Sequence, residues 1–170
     1  RAKNSGAAIS FQSSTGCEIK ECTFARNTCE SGSGSIFADY ASVSRNMIIS
    51  QCVFDSNTAY VKGAAIFFKG YLGCSISECN FSRSTCTTES GTIYFEFLST
   101  DKNVNINKCN FNGNIANKDG ASIYIQAKSY CEINDCNFSR NTCQTGSGSI
   151  SCSVKATCNI IKSNFNDNTV

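Results

Sequence analysis

Cysteine is the residue type of this chain with the most chemistry open to it, because thiols bind soft metals, form disulfides and act as nucleophiles. The 170-residue sequence has thirteen cysteines but no histidine, and no two cysteines are separated by only two residues. The usual zinc-binding spacings are therefore absent, and a cysteine nucleophile would have no histidine to act as its base. We predict that the chain has no metal site, no cofactor and no catalytic residue.

Paired carboxylates would be the second source of chemistry, because enzymes that cleave polysaccharides use two of them, often with calcium nearby. The thirteen acidic residues are dispersed, with no Asp-Asp or Asp-x-Asp motif. The densest acidic pair, Glu18 and Glu21, has no counterpart in the following repeat. We predict that the chain is not an enzyme, and a protein that binds or cleaves polysaccharide is the alternative.

Most of the cysteines belong to a repeat that runs through the whole chain. Six phenylalanines lie 27 or 30 residues apart; each has an isoleucine five positions before it, a cysteine two before it and an asparagine three after it, with few exceptions. Such a period indicates a stacked-repeat architecture. The phenylalanines are Phe24, Phe54, Phe81, Phe111, Phe138 and Phe165; the cysteines are Cys22, Cys52, Cys79, Cys109 and Cys136; the asparagines are Asn27, Asn57, Asn114, Asn141 and Asn168.

Each repeat also contains a short segment rich in aromatic and β-branched residues, such as residues 92–97, and clusters of Gly, Ser, Asn and Asp that favour turns. No segment has the period of a helix. The sequence predicts an all-β fold, a right-handed parallel β-helix of six coils of 27–30 residues with about three strands in each. The coils start near Gly6, Gly34, Gly63, Gly91, Gly120 and Gly148.

Equivalent positions of successive coils should lie above one another, about 4.8 Å apart. We therefore expect the isoleucines, cysteines and phenylalanines to form inward-facing ladders. The asparagines should lie at a bend, each side-chain amide bonding to the amide of the next coil and to local backbone. Ordinary turn residues that do not stack are the alternative for these asparagines.

The coils alternate in length, so the larger unit of the sequence is a 57-residue pair of coils. The three extra residues of the longer coils fall near residues 41–45 and 99–103, and these loops should protrude on one side. We expect residues 1–170 to be a single β-helix segment of a longer rod, because a terminal coil without a cap exposes backbone groups and apolar interior. The expected partners are further coils of the same chain or copies of it stacked end to end.

The cysteine positions of one coil are often filled by Met, Val or Ala in the next, which favours a buried structural role. Free thiols and disulfides both remain open, since neighbouring coils place Cα atoms within disulfide range while parallel side chains often aim badly for a bond. Cys131 and Cys158, which hold the same repeat position in adjacent coils, are the best candidate pair.

Three surface features bear on partners. Asn80 and Asn137 begin Asn-Phe-Ser sequons and would accept N-linked glycans in a eukaryotic surface protein, although chance sequons are frequent in a chain rich in Asn and Ser. Arg26, Arg83 and Arg140 would form a row able to contact an acidic surface glycan, or simply a solvated face.

The net charge of +2 without a basic run predicts no nucleic-acid partner, and no apolar run is long enough to predict membrane insertion.

The paired motifs resemble the FxxN and GGA[ILV] repeats of the chlamydial polymorphic membrane proteins, which also occur in large surface proteins of some protists. Phe-x-x-Asn occurs in five coils, and Gly-Ala-Ala-Ile or Gly-Ala-Ser-Ile occurs at residues 6–9, 63–66 and 120–123. That family consists of β-helical surface adhesins. The resemblance implies a structural or adhesive β-solenoid of an extracellular surface protein or filament.

Overall fold

Four parallel β-sheets wind around a common axis in the computed structural model, which describes residues 3, 5–12, 16–40, 46–70, 73–97, 103–126, 130–153 and 156–170. The first five coils pass once through every sheet and the sixth coil contributes strands to three of them, so strands that are neighbours in a sheet come from successive coils. Six coils separated by five steps give about five full turns. The described part of the chain contains no helix.

The strands divide among the sheets as follows. Sheet 1 contains Ile9–Gln12, Ile36–Tyr40, Ile66–Gly70, Ile93–Phe97, Ile123–Gln126 and Ile150–Cys152. Sheet 2 contains Glu18–Lys20, Met47–Ser50, Cys74–Ser77, Asn103–Asn107, Tyr130–Asn134 and Thr157–Ile161. Sheet 3 contains Thr23–Ala25, Val53–Asp55, Asn80–Ser82, Asn110–Asn112, Asn137–Ser139 and Asn164–Asn166. Sheet 4 contains Thr28–Cys29, Thr58–Ala59, Thr85–Cys86, Ile115–Ala116 and Thr142–Cys143.

The prediction of about three strands per coil needs correction, because the structure has four. Two sharp bends flank each strand of sheet 3, one three residues before the phenylalanine and one two residues after it. The residues at these bends adopt left-handed backbone conformations, with φ from 48° to 55° wherever the residue is not glycine. Gly113 is the one glycine among these twelve positions, so eleven of the bends adopt a conformation that L-residues normally avoid.

Backbone hydrogen bonds to the next coil hold these bends. Glu21 N–H donates to the Ser50 carbonyl at 3.1 Å, and Arg26 N–H donates to the Asp55 carbonyl at 2.9 Å. The same pattern continues at the bends of later coils. We call the bend before sheet 3 the cysteine corner and the bend after it the asparagine corner, from the residue that follows each bent position.

The interior of the coils is filled by ladders of equivalent side chains. Successive phenylalanines of the repeat stack with ring centroids 4.7–4.8 Å apart and planes within 8° of parallel. The isoleucines pair in register, for example Ile76 with Ile49 and Ile106. These ladders are fully buried in the central coils, whereas Ile160 and Phe165 of the last coil are 45% and 47% exposed.

A second, smaller apolar cluster lies between sheet 4 and the start of sheet 1, where Cys86 and Cys143 pack with Ala64, Ala116 and Ala121. The coils approach closely here. A Cβ atom added to Gly34 would lie 1.8 Å from the Ala64 carbonyl oxygen, which explains a glycine near the start of this coil. The predicted protruding loops near residues 41–45 and 99–103 lie outside the described residues, except for Asn103, which is the first residue of its strand in sheet 2.

Candidate functional site

The asparagine corner carries a continuous chain of hydrogen bonds along the helix axis. Asn114 N–H donates to Asn141 Oδ1 at 3.0 Å, and Asn114 Nδ2 donates both to Asn141 Oδ1 and to the Phe81 carbonyl, each at 3.0 Å. Asn27 and Asn141 bond in the same way to the asparagine of the following coil. The side chains of Asn57, Asn114 and Asn141 are fully buried, so the bonds that they make satisfy groups that water does not reach.

Ser84 replaces asparagine in the third coil and keeps only part of this pattern. Its hydroxyl accepts from Asn57 N–H at 3.3 Å and donates to the Ser82 carbonyl at 3.3 Å. Its own N–H donates to Asn114 Oδ1 at 3.0 Å. A hydroxyl is too short to reach the carbonyl of the preceding coil, as the Asn57 amide does when it donates to Phe24 O at 2.8 Å.

The cysteine corner repeats the same arrangement with sulfur. Cys52 N–H contacts the Cys79 sulfur at 3.4 Å, and the Cys79 thiol donates to the Ser77 carbonyl at 3.2 Å. Cys22 and Cys109 contact the sulfur of the following coil with the same 3.4 Å spacing. Ser163 completes the ladder in the last coil by accepting from Cys136 N–H at 3.2 Å. The thiols therefore act as structural hydrogen-bonding groups.

The surroundings of the thiols shift their pKa in both directions: at the cysteine corner the side-chain hydrogen bond with Cys109 lowers the pKa of Cys79 and Cys136, whereas burial favours the protonated form of several other thiols. Removal from water raises the pKa of Cys52 and Cys74, and it raises the pKa of Cys86 and Cys131 to about 12. A protonated thiol is a poor nucleophile and a poor metal ligand. No group of three or more His, Cys, Asp or Glu side chains able to hold a metal ion occurs within the described residues.

The expected disulfide between Cys131 and Cys158 is not the one that forms. Cys158 is bonded to Cys152 of its own coil, and Cys131 remains a buried thiol. The bridge crosses the corner between sheets 1 and 2, where an inward residue of one sheet meets an inward residue of the next. The sequence held a signal for it, because Cys152 and Cys158 both depart from the repeat in the same coil.

Sheet 3 also carries a ladder of outward amide side chains, which was not predicted from the sequence. Asn110, Asn137 and Asn164 each donate from Nδ2 to Oδ1 of the asparagine in the preceding coil at 2.9 Å. The two sequon asparagines, Asn80 and Asn137, lie in this exposed column. Asn80 is the first acceptor of the ladder, whereas the Nδ2 atom of Asn137, where a glycan would attach, donates to Asn110.

The row of arginines occupies asparagine-corner bends in alternate coils. Arg83 binds the Asp55 carboxylate through Nε at 2.9 Å and Nη2 at 2.6 Å. The Ser82 hydroxyl and this guanidinium hold the pKa of Asp55 below its ordinary range. The row is therefore not a uniform positive stripe, since its middle member is neutralised.

A polar concavity of about 440 Å³ outside sheet 2 contains two carboxylates, Glu78 and Glu132, among serine and asparagine side chains. Glu78 accepts a hydrogen bond from Gln51 Nε2 at 3.3 Å, which directs it towards the second coil. Glu132 lies on the fifth coil, two coils beyond Glu78. The backbones of the two residues are therefore about 9.6 Å apart along the axis, which is twice the spacing of neighbouring strands.

A second concavity, of about 330 Å³, lies outside sheet 1 and is called the aromatic groove here. Phe37 and Phe67 form its floor, and Val61, Lys62, Lys69 and Glu96 contribute to its walls. The outward aromatic column continues to Tyr94 and Tyr124, with neighbouring rings 5.0–5.4 Å apart. The sequence signal was an aromatic residue directly after the inward isoleucine in four successive coils.

Lys62 lies over this column. Its Nζ atom is 4.9 Å from the Tyr94 ring centroid and 5.6 Å from that of Phe67, and it forms an ion pair with Glu96 at 2.7 Å. Lys69 forms a second ion pair with Asp39 at 3.6 Å. The groove therefore combines an apolar floor with paired charges at its edge.

The chain belongs to the right-handed β-helix family, because the family model for a right handed beta helix region matches residues 7–170. The predicted all-β, right-handed parallel β-helix is thereby confirmed. No curated protein and no solved structure matches the sequence. Among the described residues, no helix has the length and apolar character needed to span a bilayer.

Proposed function

We propose that this chain is a structural and adhesive β-solenoid of an extracellular surface protein or filament, with no chemistry of its own. The observation that carries the proposal is the use of acidic side chains as connections between coils. Glu78 bonds to Gln51, Asp55 to Ser82 and Arg83, and Asp119 to Ser147. Carboxylates engaged in this way stiffen a rod and are not poised for catalysis.

The outward amide ladder supports the same role. Its members satisfy one another along the axis and produce a regular, uncharged surface across four coils. The FxxN repeats support kinship with the polymorphic membrane protein repeats, and with it a surface location. Surface glycans are the proposed ligands, and membrane insertion and nucleic acid are not part of the proposal.

We also propose that the last coil packs on a further coil, either of the same polypeptide or of a second copy. The support is the exposure of Ile160 and Phe165, whose equivalents Ile133 and Phe138 are fully buried. A coil placed on them would continue both ladders and the asparagine hydrogen bonds. Sedimentation of the 170 residues at increasing concentration tests the form of the proposal in which a second copy packs on the last coil. We expect the wild-type chain to associate as its concentration rises and Phe165→Asp to abolish this association.

Antibody labelling of intact and permeabilised source cells tests the surface location. Intact cells should be labelled as strongly as permeabilised ones. Labelling that requires permeabilisation would contradict the proposal. Beads coated with the folded chain should also bind intact cells, and beads coated with the urea-unfolded chain serve as the control.

The competing function is that of a polysaccharide-cleaving β-helix, and the concavity with Glu78 and Glu132 is the place to test it. We expect no release of reducing ends or unsaturated products from neutral or acidic polysaccharides. Release that disappears in Glu132→Gln would overturn the proposal in favour of an enzyme. Glu18→Gln, in the same outward column of sheet 2, is the matched control.

A further inference from the structure

The aromatic groove has a floor that the fold itself does not require. Phe37 and Phe67 point outwards from sheet 1, away from the core formed by Ile36, Ile66 and their equivalents. Serine fills the same outward position in the first and last coils, as Ser10 and Ser151, so the sheet forms without an aromatic ring there. The rings of the middle coils therefore need an explanation beyond strand formation.

The floor is accessible at its Phe37 end. Phe67 and Tyr94 are 7% and 3% exposed because Lys62 and the neighbouring rings cover them, whereas Phe37 is only half-buried. The Phe37 and Phe67 rings are 5.3 Å apart and inclined at 58°. An apolar ring surface is thus presented to the groove beside Val61.

The walls add hydrogen-bonding groups of both signs. Each ammonium has three protons and each carboxylate has about four lone-pair sites, so an ion pair leaves most of them unused. Lys62 with Glu96 and Lys69 with Asp39 therefore offer donors and acceptors around the floor while their charges cancel.

We propose that the aromatic groove binds a neutral saccharide, with one sugar ring lying against Phe37 and its hydroxyls bonded to the two ion pairs. This proposal rests on the proposed adhesive function and gives it a site. The volume of about 330 Å³ is within the range of small-ligand sites. A sugar ring matches the site because it has an apolar face together with a rim of hydroxyls that both donate and accept.

Other ligand classes fit less well. An apolar peptide would bury two ion pairs and give them no hydrogen-bonding partners, which is costly. A sulfated or acidic glycan would find Lys62 and Lys69, the two lysines of the groove wall, already paired with carboxylates. The neutral saccharide is the class that satisfies both floor and walls.

The test uses the full 170 residues on an array that carries neutral hexose and N-acetylhexosamine oligosaccharides beside sulfated ones. The test variant is Phe37→Ser, which installs the residue that the first and last coils already use. The control is Ile48→Ser, because Ile48 is an exposed apolar residue on sheet 2 of the same coil and serine occupies the equivalent position as Ser75. Circular dichroism checks that both variants keep the fold.

We expect the wild-type chain and Ile48→Ser to bind a neutral glycan equally, and Phe37→Ser to bind it at least tenfold more weakly. Equal binding by all three chains would overturn the groove as the site while leaving the adhesive function intact. Binding to sulfated glycans alone would also overturn it and would point to the arginine row. Absence of any glycan binding would also overturn the proposed saccharide site. The binding of coated beads to cells would then test the adhesive function separately.

Discussion

The cysteine corner and the asparagine corner both provide an acceptor for a backbone N–H group of the preceding coil, but they use different side chains. At each corner a left-handed bend turns the next residue inwards, and the backbone N–H of that residue bonds to the equivalent side chain of the following coil. The contact is an N–H···O bond of 3.0 Å at Asn114 and an N–H···S contact of 3.4 Å at Cys52. The amide of Asn114 also donates two further bonds at 3.0 Å with separate protons, whereas the single thiol proton of Cys79 is shared between the Ser77 carbonyl at 3.2 Å and the Ile49 carbonyl at 3.8 Å.

The exceptions to the two ladders show what the corners have in common. Ser163 at the cysteine corner and Ser84 at the asparagine corner both accept the N–H of the preceding coil and both donate to the carbonyl two residues earlier in the chain. The cysteine ladder uses the same two bonds. Both corners therefore need an acceptor for one buried N–H, and the amide adds stability beyond that need.

Removing an amide should have the largest effect. Asn114→Ala would leave the Ser84 N–H and the Phe81 carbonyl without partners inside the coil. We expect a loss of about 3–4 kcal/mol in the free energy of unfolding, measured by urea denaturation. Asn110→Ala is the matched control, because Asn110 is an exposed amide of the outward ladder. Equal losses in the two variants would contradict the importance of the buried ladder.

Alkaline pH should lower the free energy of unfolding through the buried thiols and not through the amides, because only thiols titrate. Unfolded Cys86 and Cys131 ionise near pH 8.5, whereas burial raises their folded pKa to about 12. The folded chain holds more protons between these values, so its stability should fall as pH rises through this window and be unaffected below it. The expected loss is about 1.4 kcal/mol per pH unit for each thiol.

Urea denaturation at pH 7.5 and 9.5 measures this effect. The double variant Cys86→Ala with Cys131→Val is its control, since the neighbouring coils already place Ala116 and Val104 at these positions. The variant should show a shallower decline with pH. A decline as steep as that of the wild type would show that other groups cause it.

Removing one thiol of the cysteine corner should cost less than removing a buried amide. Cys79→Ala would leave the Cys52 N–H without its acceptor and create a small cavity, for a loss of about 2 kcal/mol. Cys79→Ser should lose only about half as much, because Ser163 shows that a hydroxyl makes both bonds at this corner. Thermal unfolding of both variants measures the difference, and a serine variant less stable than the alanine variant would contradict the hydrogen-bonding role.

Repairing the interrupted asparagine ladder should have the smallest effect, and in the stabilising direction. In Ser84→Asn the new Nδ2 should reach the Phe54 carbonyl, as Asn57 reaches that of Phe24. The expected gain is about 1 kcal/mol, seen as a higher urea midpoint. Ser163→Cys provides the comparison at the other corner, where we expect almost no change.

The repeat determined the fold because register in a parallel sheet follows from equal spacing. Once Phe81 and Phe111 occupy the same place in successive coils, the residues before and after them in the two strands must pair in the same register. The inward positions of Ile76, Cys79 and Phe81 follow from the same logic. Asn114 and its equivalents lie where a bend was predicted, and they stack.

The corners themselves were decided by the tertiary structure. Nothing in the residue types Glu21 or Arg26 predicts a left-handed backbone, and the conformation is held by hydrogen bonds to a coil about 30 residues away. The fourth strand of each coil follows from these bends. The Cys152–Cys158 bridge was also decided by the tertiary structure, because the corner between sheets 1 and 2 turns these two residues towards each other within one coil.

The sequence alone thus determined which residues face the interior, because a repeated pattern of apolar side chains has one consistent way to bury itself in a stacked coil. It could not show how the outward residues are enclosed. Phe37 and Lys62 are 25 residues apart in the sequence, near opposite ends of the second coil. Only the turn that carries Lys62 over the neighbouring aromatic rings creates the groove, and the path of that turn depends on contacts between coils.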